Sequence, residues 1–354
     1  MAGVTETHEI DLTASFKAYD VRGIVGETIT AESVRAVGAA FVDVLGLAGQ
    51  KVLVGGDMRP SSPEFMEAFA EGALARGGDV LKLGLISTDM LYYAAGVQQA
   101  AGVVFTASHN PAEYNGMKMA KAGAVPVSSD TGLYEIRDAA QAYLDAGQIP
   151  AVERTGTLEE STLLADYAAY LRSLVDLSGI RPLKVVVDAG NGMAGATTPA
   201  VLGDAELEAL PLTIEPLYFE LDGTFPNHPA NPLEPENLRD LQAAVVKHGA
   251  DIGLAFDGDA DRCFVIDEKG EPVSPSAVTA LVARREIARA KADGEDTPVI
   301  IHNLITSKAV PELVAHDGGR AVVTRVGHSF IKAVMAEESA VFGGEHSAHY
   351  LSLI

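Results

Sequence analysis

The stretch KVLVGGDMRPSSPEFMEAFAEGALARGG, residues 51–78, decides the fold class because it joins a strand pattern directly to a helix pattern. Residues 51–57 form a short apolar run that ends in glycine and aspartate, which is typical of a buried strand and its turn. The alanine-rich segment that follows has helical spacing. Ser62 before Pro63 predicts an N-cap with proline at the first helical position, and Gly77 predicts the end of the helix. The stretch therefore predicts a strand, a turn and a helix in succession.

The same theme recurs along the chain, because further apolar, β-branched runs lead into glycine-, aspartate- or asparagine-rich turns at 184–192, 250–261, 297–304 and 320–327. Alternating strands and helices predict an α/β fold with parallel or mixed sheets. The 354 residues and a hydrophobic content of 47% suit two or three domains with real cores. Polar, turn-rich segments predict boundaries that divide the chain into three consecutive α/β domains with mixed sheets, at 1–153, 154–271 and 272–354.

Composition excludes several classes of function. Acidic residues outnumber basic ones by 49 to 26, for a net charge of −23, so a broad cationic surface for nucleic acid is not expected. The single cysteine, Cys263, permits no internal disulfide and fits a reducing compartment. We find neither a signal peptide nor an apolar run long enough to span a bilayer. These features predict a cytoplasmic protein without a membrane partner, and its oligomeric state is not predicted.

The segment TASHNPAEYNGMK, residues 106–118, places a polar cluster directly after the predicted strand GVVF at 102–105. Strand ends are favoured addresses for chemistry in α/β folds. A serine hydrolase would need a GxSxG elbow, and the context of Ser108 is AxSHN. Ser108 is instead a candidate to form a phosphoester, with His109 and Lys118 as acid/base groups and Asn110 fixing the turn.

The segment DGDADR, residues 257–262, puts three aspartates, Asp257, Asp259 and Asp261, at alternate positions. An EF-hand loop requires glycine at its sixth position, and Arg262 stands there between two strand-like flanks. Three carboxylates that converge in a curled loop predict a divalent cation site. Magnesium is favoured over calcium because it often completes its shell with phosphate oxygens, and Arg262 beside the site could bind the same phosphate.

Two other patterns indicate weaker alternatives. The segment GNGMAG at 190–195 matches the GxGxxG dinucleotide fingerprint, with Glu215 as the ribose ligand. Pro199 argues against it, because a helix that began at Gly192 would be interrupted there. His346 and His349 suggest a zinc site, but the sequence offers no third ligand.

Taken together, the motifs resemble the α-D-phosphohexomutase family, in particular its phosphomannomutase/phosphoglucomutase branch. The likeness runs from Phe16 to about Tyr350 and rests on six blocks in the family's order, which are FKAYDVRG (16–23), TASHNP (106–111), LDGTFPNHPANPLEPENL (221–238), DGDADR (257–262), RVGHSFIK (325–332) and GEHSAH (344–349). It implies an isomerase that interconverts hexose 1-phosphate and hexose 6-phosphate through a bisphosphorylated intermediate. The implied substrate is a mannose or glucose phosphate, with hexose 1,6-bisphosphate as activator.

The resemblance also implies a role for each motif residue. Ser108 looks like the phosphoserine, and Asp257, Asp259 and Asp261 look like the ligands of a Mg²⁺ ion shared with its phosphate. Lys118 looks like the proton-transfer residue, supported by Arg22 and His109. The expected sugar and pocket contacts are Glu345 and Ser347 for the hydroxyls, Gly327 and His328 in the adjoining loop, and Tyr19 and Arg262 in the wall.

The chain departs from the family pattern at its end, where relatives continue into a fourth domain that clamps the distal phosphate and this sequence reads LSLI. We therefore expect the fourth domain to be absent. Remote binding energy helps to drive chemistry at the reacting centre, so its loss should lower turnover as well as affinity. The alternative function is accordingly a catalytically impaired truncated homologue that binds phosphosugar without turnover.

Overall fold

The computed structural model describes residues 10–352, apart from the side chain of His328. Three mixed β-sheets, each flanked by helices, follow one another along the chain, as the sequence predicts. Within residues 10–352 no helix combines the length and apolar character that a bilayer span requires.

The first sheet has seven strands, with β1–β5–β4–β2–β3–β7 in spatial order and β6 beside β5. Strands β2, β3, β4 and β7 run parallel, whereas β5 pairs antiparallel with β1, β4 and β6. Their bounds are β1 Val21–Ile24, β2 Lys51–Gly56, β3 Asp79–Leu85, β4 Ala101–Phe105, β5 Tyr114–Lys121, β6 Val125–Pro126 and β7 Leu158–Glu160. Because β7 joins this sheet, its pairing extends past the predicted boundary at residue 153, and the domain boundaries stay a prediction.

The second and third sheets are smaller and are also mixed. The second has the order β12–β11–β10–β8–β9, and the third has the order β14–β13–β15–β16. Their bounds are β8 Leu183–Asp188, β9 Leu212–Leu217, β10 Ile252–Phe256, β11 Cys263–Ile266, β12 Pro272–Val273, β13 Val299–Asn303, β14 Arg320–Thr324, β15 Phe342–Gly344 and β16 Tyr350–Leu351. We call the parts of the chain around the three sheets domains I, II and III.

The described helices cover the sheet faces. Their bounds are α1 Ala31–Leu45, α2 Ser62–Ala75, α3 Thr88–Val97, α4 Leu133–Asp145, α5 Leu164–Leu174, α6 Ala194–Val201, α7 Arg239–His248, α8 Pro275–Ala292, α9 Ala309–His316 and α10 His328–Glu338, with short 3₁₀ turns at Leu12–Ala14, Ala122–Ala124 and Pro235–Leu238. Helix α1 packs against α2 and α4. Its N-terminus is closed by a capping box in which Thr30 and Ser33 satisfy each other's backbone N–H groups.

Two local predictions were wrong. Helix α2 begins at Ser62 and its N-cap is Ser61; the Ser62 hydroxyl donates to Asp57 Oδ1 (2.8 Å) and does not cap the helix. Helix α6 contains Pro199 in its interior and still continues to Val201, so the proline does not interrupt it. In so short a helix, the proline sacrifices a single intrahelical hydrogen bond.

An aromatic cluster forms the core beneath the end of β4. Phe69 lies between Phe41 (ring centroids 5.5 Å apart) and Phe105 (5.9 Å), with both pairs edge to face. All three side chains are fully buried. Truncating one of them to alanine would cost about 3–5 kcal/mol of stability. Phe105 is the last residue of β4, so this core fixes the point from which the loop carrying Ser108 emerges.

The fold brings three loops together at the carboxyl ends of strands. The loop after β4 carries Ser108, the loop after β10 carries Asp257, and the loop after β15 carries Glu345. In open α/β sheets, ligands bind at the carboxyl ends of the strands, so side chains on these three loops are in the position where chemistry is expected.

Candidate active site

Ser108 lies in direct contact with the first aspartate of the trio. Its hydroxyl donates to Asp257 Oδ2 at 2.7 Å, across 149 residues of sequence, and its backbone N–H donates to Thr106 Oγ1 at 2.9 Å. Ser108 is 1% exposed and adopts φ +50°, a left-handed conformation that is uncommon for any residue other than glycine. The fold therefore holds a serine hydroxyl at the junction of domains I and II.

The three aspartates converge in the tight loop between β10 and β11. Each offers one carboxylate oxygen, and these oxygens lie within 4.8 Å of one another. Asp257 and Asp259 are fully buried. Burial, together with the neighbouring carboxylates of Asp259 and Asp261, raises the pKa of Asp257 well above its ordinary value. Three carboxylates this close and this buried call for positive charge beside them.

The trio fits a divalent cation on its own geometry. Asp259 Oδ1 is buried and has no hydrogen-bond partner in the described part of the chain. An unpaired buried carboxylate oxygen is costly unless a cation or a donor occupies the space in front of it. Hard oxygen ligands with three formal negative charges suit Mg²⁺ or Ca²⁺.

Lys118, on β5, supplies part of the missing positive charge. Its ammonium donates to Asp259 Oδ2 and to Asp261 Oδ2, both at 2.6 Å, and its side chain is 5% exposed. Burial alone would lower the pKa of Lys118, but the two carboxylates outweigh it and hold that pKa well above the usual range. Lys118 therefore carries a proton at Nζ beside the trio.

Arg22 contacts the loop between β4 and β5, which we call the serine loop, and His109 belongs to that loop. Arg22 pairs with Asp20 Oδ2 at 2.8 Å and donates to Ala107 O (3.2 Å) and to Asn110 Oδ1. His109 Nδ1 lies 3.3 Å from the Ser108 hydroxyl oxygen. Burial, with the nearby charges of Arg262 and Arg22, lowers the pKa of His109 to about 3, so its imidazole is neutral.

The carboxylate of Glu345 accepts hydrogen bonds from several residues of domain III. Its Oε1 accepts from Asn303 Nδ2 (3.0 Å) and from the Gly327 N–H (2.9 Å), and its Oε2 accepts from the Ser347 hydroxyl (3.0 Å). Burial would raise the pKa of Glu345, but contact with His349 and these donors outweighs it and lowers that pKa. The carboxylate is thus charged and fixed in place before any ligand arrives.

A cavity of about 730 Å³ lies beside these groups, and Ser108 and the three aspartates are not among its lining residues. The predicted residues that line it are Tyr19, Arg22, His109, Lys118, Arg262, Gly327, Glu345 and Ser347. Tyr19 lies edge to face with Phe330 at 6.3 Å, and Arg262 Nε lies 3.7 Å from Asp257 Oδ2. The predicted role of His328 rests on a side chain outside the described part of the structure.

His349 is among the lining residues that sequence reasoning did not assign to this cavity. Its Nε2 lies 3.3 Å from Asp261 Oδ1, and its Nδ1 lies 2.9 Å from Glu345 Oε2. Burial opposes protonation, but Asp261 and Glu345 raise the pKa of His349 to about 9. The sequence signal is a histidine four positions after Glu345, whereas the sequence pattern paired His349 with His346 as a zinc site. The neighbouring His346 instead contacts the Ser276 hydroxyl at 2.9 Å.

Comparison with known proteins covers nearly the whole chain. Three family models match in order along the chain. They are phosphoglucomutase/phosphomannomutase alpha/beta/alpha domain I at residues 13–145, domain II at 165–270 and domain III at 274–353. A phosphomannomutase of Escherichia coli is 39% identical over 341 residues, covering 95% of this chain and 72% of the relative. A protein of Xanthomonas campestris described as phosphohexose mutases is 39% identical over 338 residues, with the same coverage.

A solved structure agrees with the sequence matches. The phosphoglucomutase/phosphomannomutase family protein of Burkholderia thailandensis is 33% identical to this chain and superposes with a TM-score of 0.85. The match covers 96% of this chain and 72% of that protein.

Proposed function

This chain belongs to the phosphoglucomutase/phosphomannomutase family of isomerases, and we propose that it interconverts hexose 1-phosphates and hexose 6-phosphates through a phosphoserine at Ser108. The observation that carries the proposal is the 2.7 Å contact between the Ser108 hydroxyl and Asp257, beside a cavity of about 730 Å³. A cavity of that size accommodates one phosphosugar.

The reaction needs two phosphoryl transfers and a reorientation of the sugar. The phosphoryl group on Ser108 Oγ passes to the free hydroxyl of a hexose monophosphate, which loses its proton, and Ser108 regains a hydroxyl. The resulting hexose 1,6-bisphosphate turns over in the cavity. Its other phosphate then returns to Ser108, so no phosphate is consumed, and added hexose 1,6-bisphosphate would act as activator by phosphorylating the free serine.

Asp257, Asp259 and Asp261 would hold Mg²⁺ together with the phosphate on Ser108. Once bound, the ion supplies neutralisation of the negative charge on the phosphoryl oxygens. The buried Oδ1 of Asp259 is the geometric reason to expect the ion there, since that oxygen has no hydrogen-bond partner among residues 10–352.

The residues around the trio divide the remaining work. Lys118 is protonated at Nζ, so it stabilises negative charge next to the transferring group and can donate a proton there. Neutral His109 lies 3.3 Å from Ser108 Oγ, whose hydroxyl hydrogen faces Asp257, and an N–H of its imidazole can donate to that serine oxygen. Arg22 holds the loop through Ala107 and Asn110 and presents positive charge to the cavity.

Proton exchange with the sugar hydroxyl has two candidates, Lys118 and His349. The carboxylate of Asp261 lies between them, with Oδ2 2.6 Å from Lys118 Nζ and Oδ1 3.3 Å from His349 Nε2. Both groups are protonated, and a carboxylate that contacts both lets one of them replace a proton that the other gives to the ligand. We assign the proton transfer to Lys118, with His349 as its neighbour in the same network.

The sugar end of the cavity consists of Glu345 and Ser347, with Gly327, Tyr19 and Arg262 in the wall. A carboxylate and a hydroxyl can accept and donate in either orientation of the sugar, which a turning intermediate requires. Arg262 is the basic group best placed for a phosphate beside the trio, because its planar guanidinium suits phosphate oxygens. The substrate we propose is a mannose or glucose phosphate.

A coupled assay tests the proposal. The purified chain is mixed with mannose 1-phosphate, Mg²⁺ and a trace of hexose 1,6-bisphosphate, and mannose 6-phosphate is measured. Ser108→Ala should abolish product, whereas Ser173→Ala, a change at an exposed serine of α5, should leave the rate unchanged. Product formation by Ser108→Ala at the wild-type rate would refute the phosphoserine mechanism.

Binding without turnover would favour the alternative of a phosphosugar-binding homologue. Retained affinity for mannose 1-phosphate, with no product and no phosphorylated Ser108, is its signature. Competing rates on mannose 1-phosphate and glucose 1-phosphate would then decide which sugar the active chain prefers.

Location in the cytoplasm stays a prediction.

A further inference from the structure

Arg59, in the loop after β2, donates to four backbone carbonyls of the serine loop. Its Nη2 contacts Ser108 O (3.0 Å) and Asn110 O (2.7 Å), and its Nη1 contacts Pro111 O (2.8 Å) and Tyr114 O (2.9 Å). The guanidinium is fully buried, and Arg59 is the largest fully buried side chain among the described residues. All four Nη hydrogens are therefore used on one loop.

This arrangement depends on the shape of arginine. A planar fork can reach four oxygens at once, whereas the ammonium of lysine is a single point with three donors. The charge is balanced locally, since Asp57 Oδ2 lies 3.4 Å from Arg59 Nε. Asp57 Oδ1 in turn accepts from the Arg59 backbone N–H (3.0 Å) and the Ser62 hydroxyl.

The loop that Arg59 grips is conformationally unusual. Ser108 has φ +50°, and such a conformation persists in a residue with a side chain only where its surroundings hold it. The Ser108 carbonyl is one of the groups that fix this conformation, because Arg59 Nη2 binds it directly. Releasing that carbonyl would let the Ser108 hydroxyl move away from Asp257.

Residues of domain II pack against the same guanidinium. The ring of Phe225 lies 5.1 Å from the guanidinium carbon of Arg59, within range of a cation–π contact. Gly223 lies so close that a Cβ there would come within 2.5 Å of Arg59 Cα, and a Cβ on Gly258 would come within 2.4 Å of Ser108 O. The two domains therefore pack backbone to backbone around Arg59 and the serine carbonyl.

We propose that Arg59 is a positioning residue for phosphoryl transfer: its guanidinium holds the Ser108 loop in register with the aspartate trio, and Phe225 makes that register depend on the contact between domains I and II. The inference rests on the proposed function for its kinetic consequence. It predicts that changing Arg59 slows the chemical step while leaving the sugar end of the cavity intact.

The test compares Arg59→Lys with wild type and with Arg172→Lys. Arg172 is a matched control because it also donates to backbone carbonyls, those of Val201, Gly203 and Glu208, away from the candidate site. In Arg59→Lys we expect kcat to fall about 100-fold with KM changed by less than about threefold, as for a misplaced reacting group. Arg172→Lys should keep the wild-type kcat.

A second readout does not need activity. Hydrogen exchange at the Asn110 and Tyr114 amides, both bonded within the loop, should be faster in Arg59→Lys while exchange in the helices of domain III is unchanged. If wild type shows no turnover, the proposed function fails, and this exchange alone decides the role of Arg59. Unchanged loop exchange, or a wild-type kcat in Arg59→Lys, would overturn the inference.

Phe225→Leu covers the case in which Arg59→Lys does not fold. It removes the ring over the guanidinium and keeps an apolar side chain in its place. We expect kcat to fall roughly 3- to 30-fold, the range that corresponds to loss of one cation–π contact. A wild-type kcat together with unchanged exchange at Asn110 in this variant would overturn the role assigned to the contact between the domains.

Discussion

The two ends of the cavity are built differently. At the reacting end the key contacts cross between domains: Ser108 of domain I meets Asp257 of domain II, and Lys118 meets Asp259. At the sugar end the carboxylate of Glu345 is fixed by residues of its own domain, such as Asn303. The chemistry therefore depends on how domains I and II dock, whereas the carboxylate of Glu345 is held in place within domain III.

The largest expected effect comes from the reacting end, in Asp259→Asn. The change keeps the shape of the side chain but removes a charge from the trio and from the ion pair with Lys118. We expect kcat to fall by about 1000-fold, in the range found when a charge-stabilising group is lost. The assay is mutase turnover with a parallel Mg²⁺ titration by calorimetry, in which the affinity should also drop.

Asp176→Asn, at an exposed aspartate, is the control for that change. It should alter neither turnover nor Mg²⁺ affinity. Unchanged Mg²⁺ affinity in Asp259→Asn would contradict the assignment of the trio as the cation site.

A smaller loss is expected for Lys118→Met, which keeps the length of the side chain and removes its ammonium. Proton-transfer groups typically contribute about 10²- to 10⁴-fold to rate, and we expect kcat to fall about 100-fold, at the lower end of that range. Lys121→Met, at the end of the same strand, serves as the matched control. A variant with full kcat would show that Lys118 serves only to neutralise the trio in the absence of a cation.

Glu345→Gln should separate the two ends of the cavity. Losing a charged acceptor that holds several donors should reduce kcat/KM about 10- to 100-fold, mostly through KM. Mg²⁺ affinity and the phosphorylation of Ser108 by hexose 1,6-bisphosphate should stay at wild-type levels, because the contacts of Glu345 lie within domain III. A loss of Mg²⁺ affinity in this variant would break the distinction drawn between the ends.

The smallest effect concerns stability, at His228 of domain II. Its Nε2 lies 2.9 Å from Asp188 Oδ2 and its Nδ1 lies 2.9 Å from Pro229 O, so both nitrogens face acceptors. Burial opposes the charged form, but these acceptors outweigh it and raise the pKa of His228 above 6.5. The stabilisation is therefore fully present below pH 6.5 and is lost as the pH rises through the raised, folded-state pKa.

Denaturant unfolding of wild type and His228→Asn at acidic and alkaline pH checks this sign. The variant should be less stable by about 1 kcal/mol at the acidic pH, with a smaller difference at the alkaline pH. A difference that grows as the pH rises would contradict a raised pKa.

The sequence predicted the elements well because apolar runs and turn residues are local signals. The strand at 102–105 and the hairpin around Asp257–Asp261 both lie where the pattern placed them. Helix boundaries were harder to predict, since the Ser62 hydroxyl donates to Asp57, and Ser61 occupies the N-cap position without a capping hydrogen bond from its side chain. The hydrogen bond between Ser62 and Asp57 forms only in the folded chain, so no local sequence pattern reveals it.

For the candidate site too, residues in local motifs could be predicted from the sequence, whereas residues that act through contacts between distant segments could not. Ser108 and the aspartate trio stood out because their motifs are short and dense in functional groups. Arg59 could not be found this way, because its role consists of contacts to carbonyls 49–55 residues away that only the folded backbone assembles. His349 was visible as a residue, but its position between Asp261 and Glu345 requires domains II and III to meet.

The central claim is that Ser108 carries the phosphoryl group, and intact-mass spectrometry tests it most directly. The purified chain is incubated with Mg²⁺ and hexose 1,6-bisphosphate, then weighed beside Ser108→Ala treated in the same way. We predict a gain of about 80 Da, one phosphate, in the wild-type chain, located at Ser108 by fragmentation, and no gain in the variant. An unmodified wild-type chain, or an equal gain in Ser108→Ala, would contradict the claim.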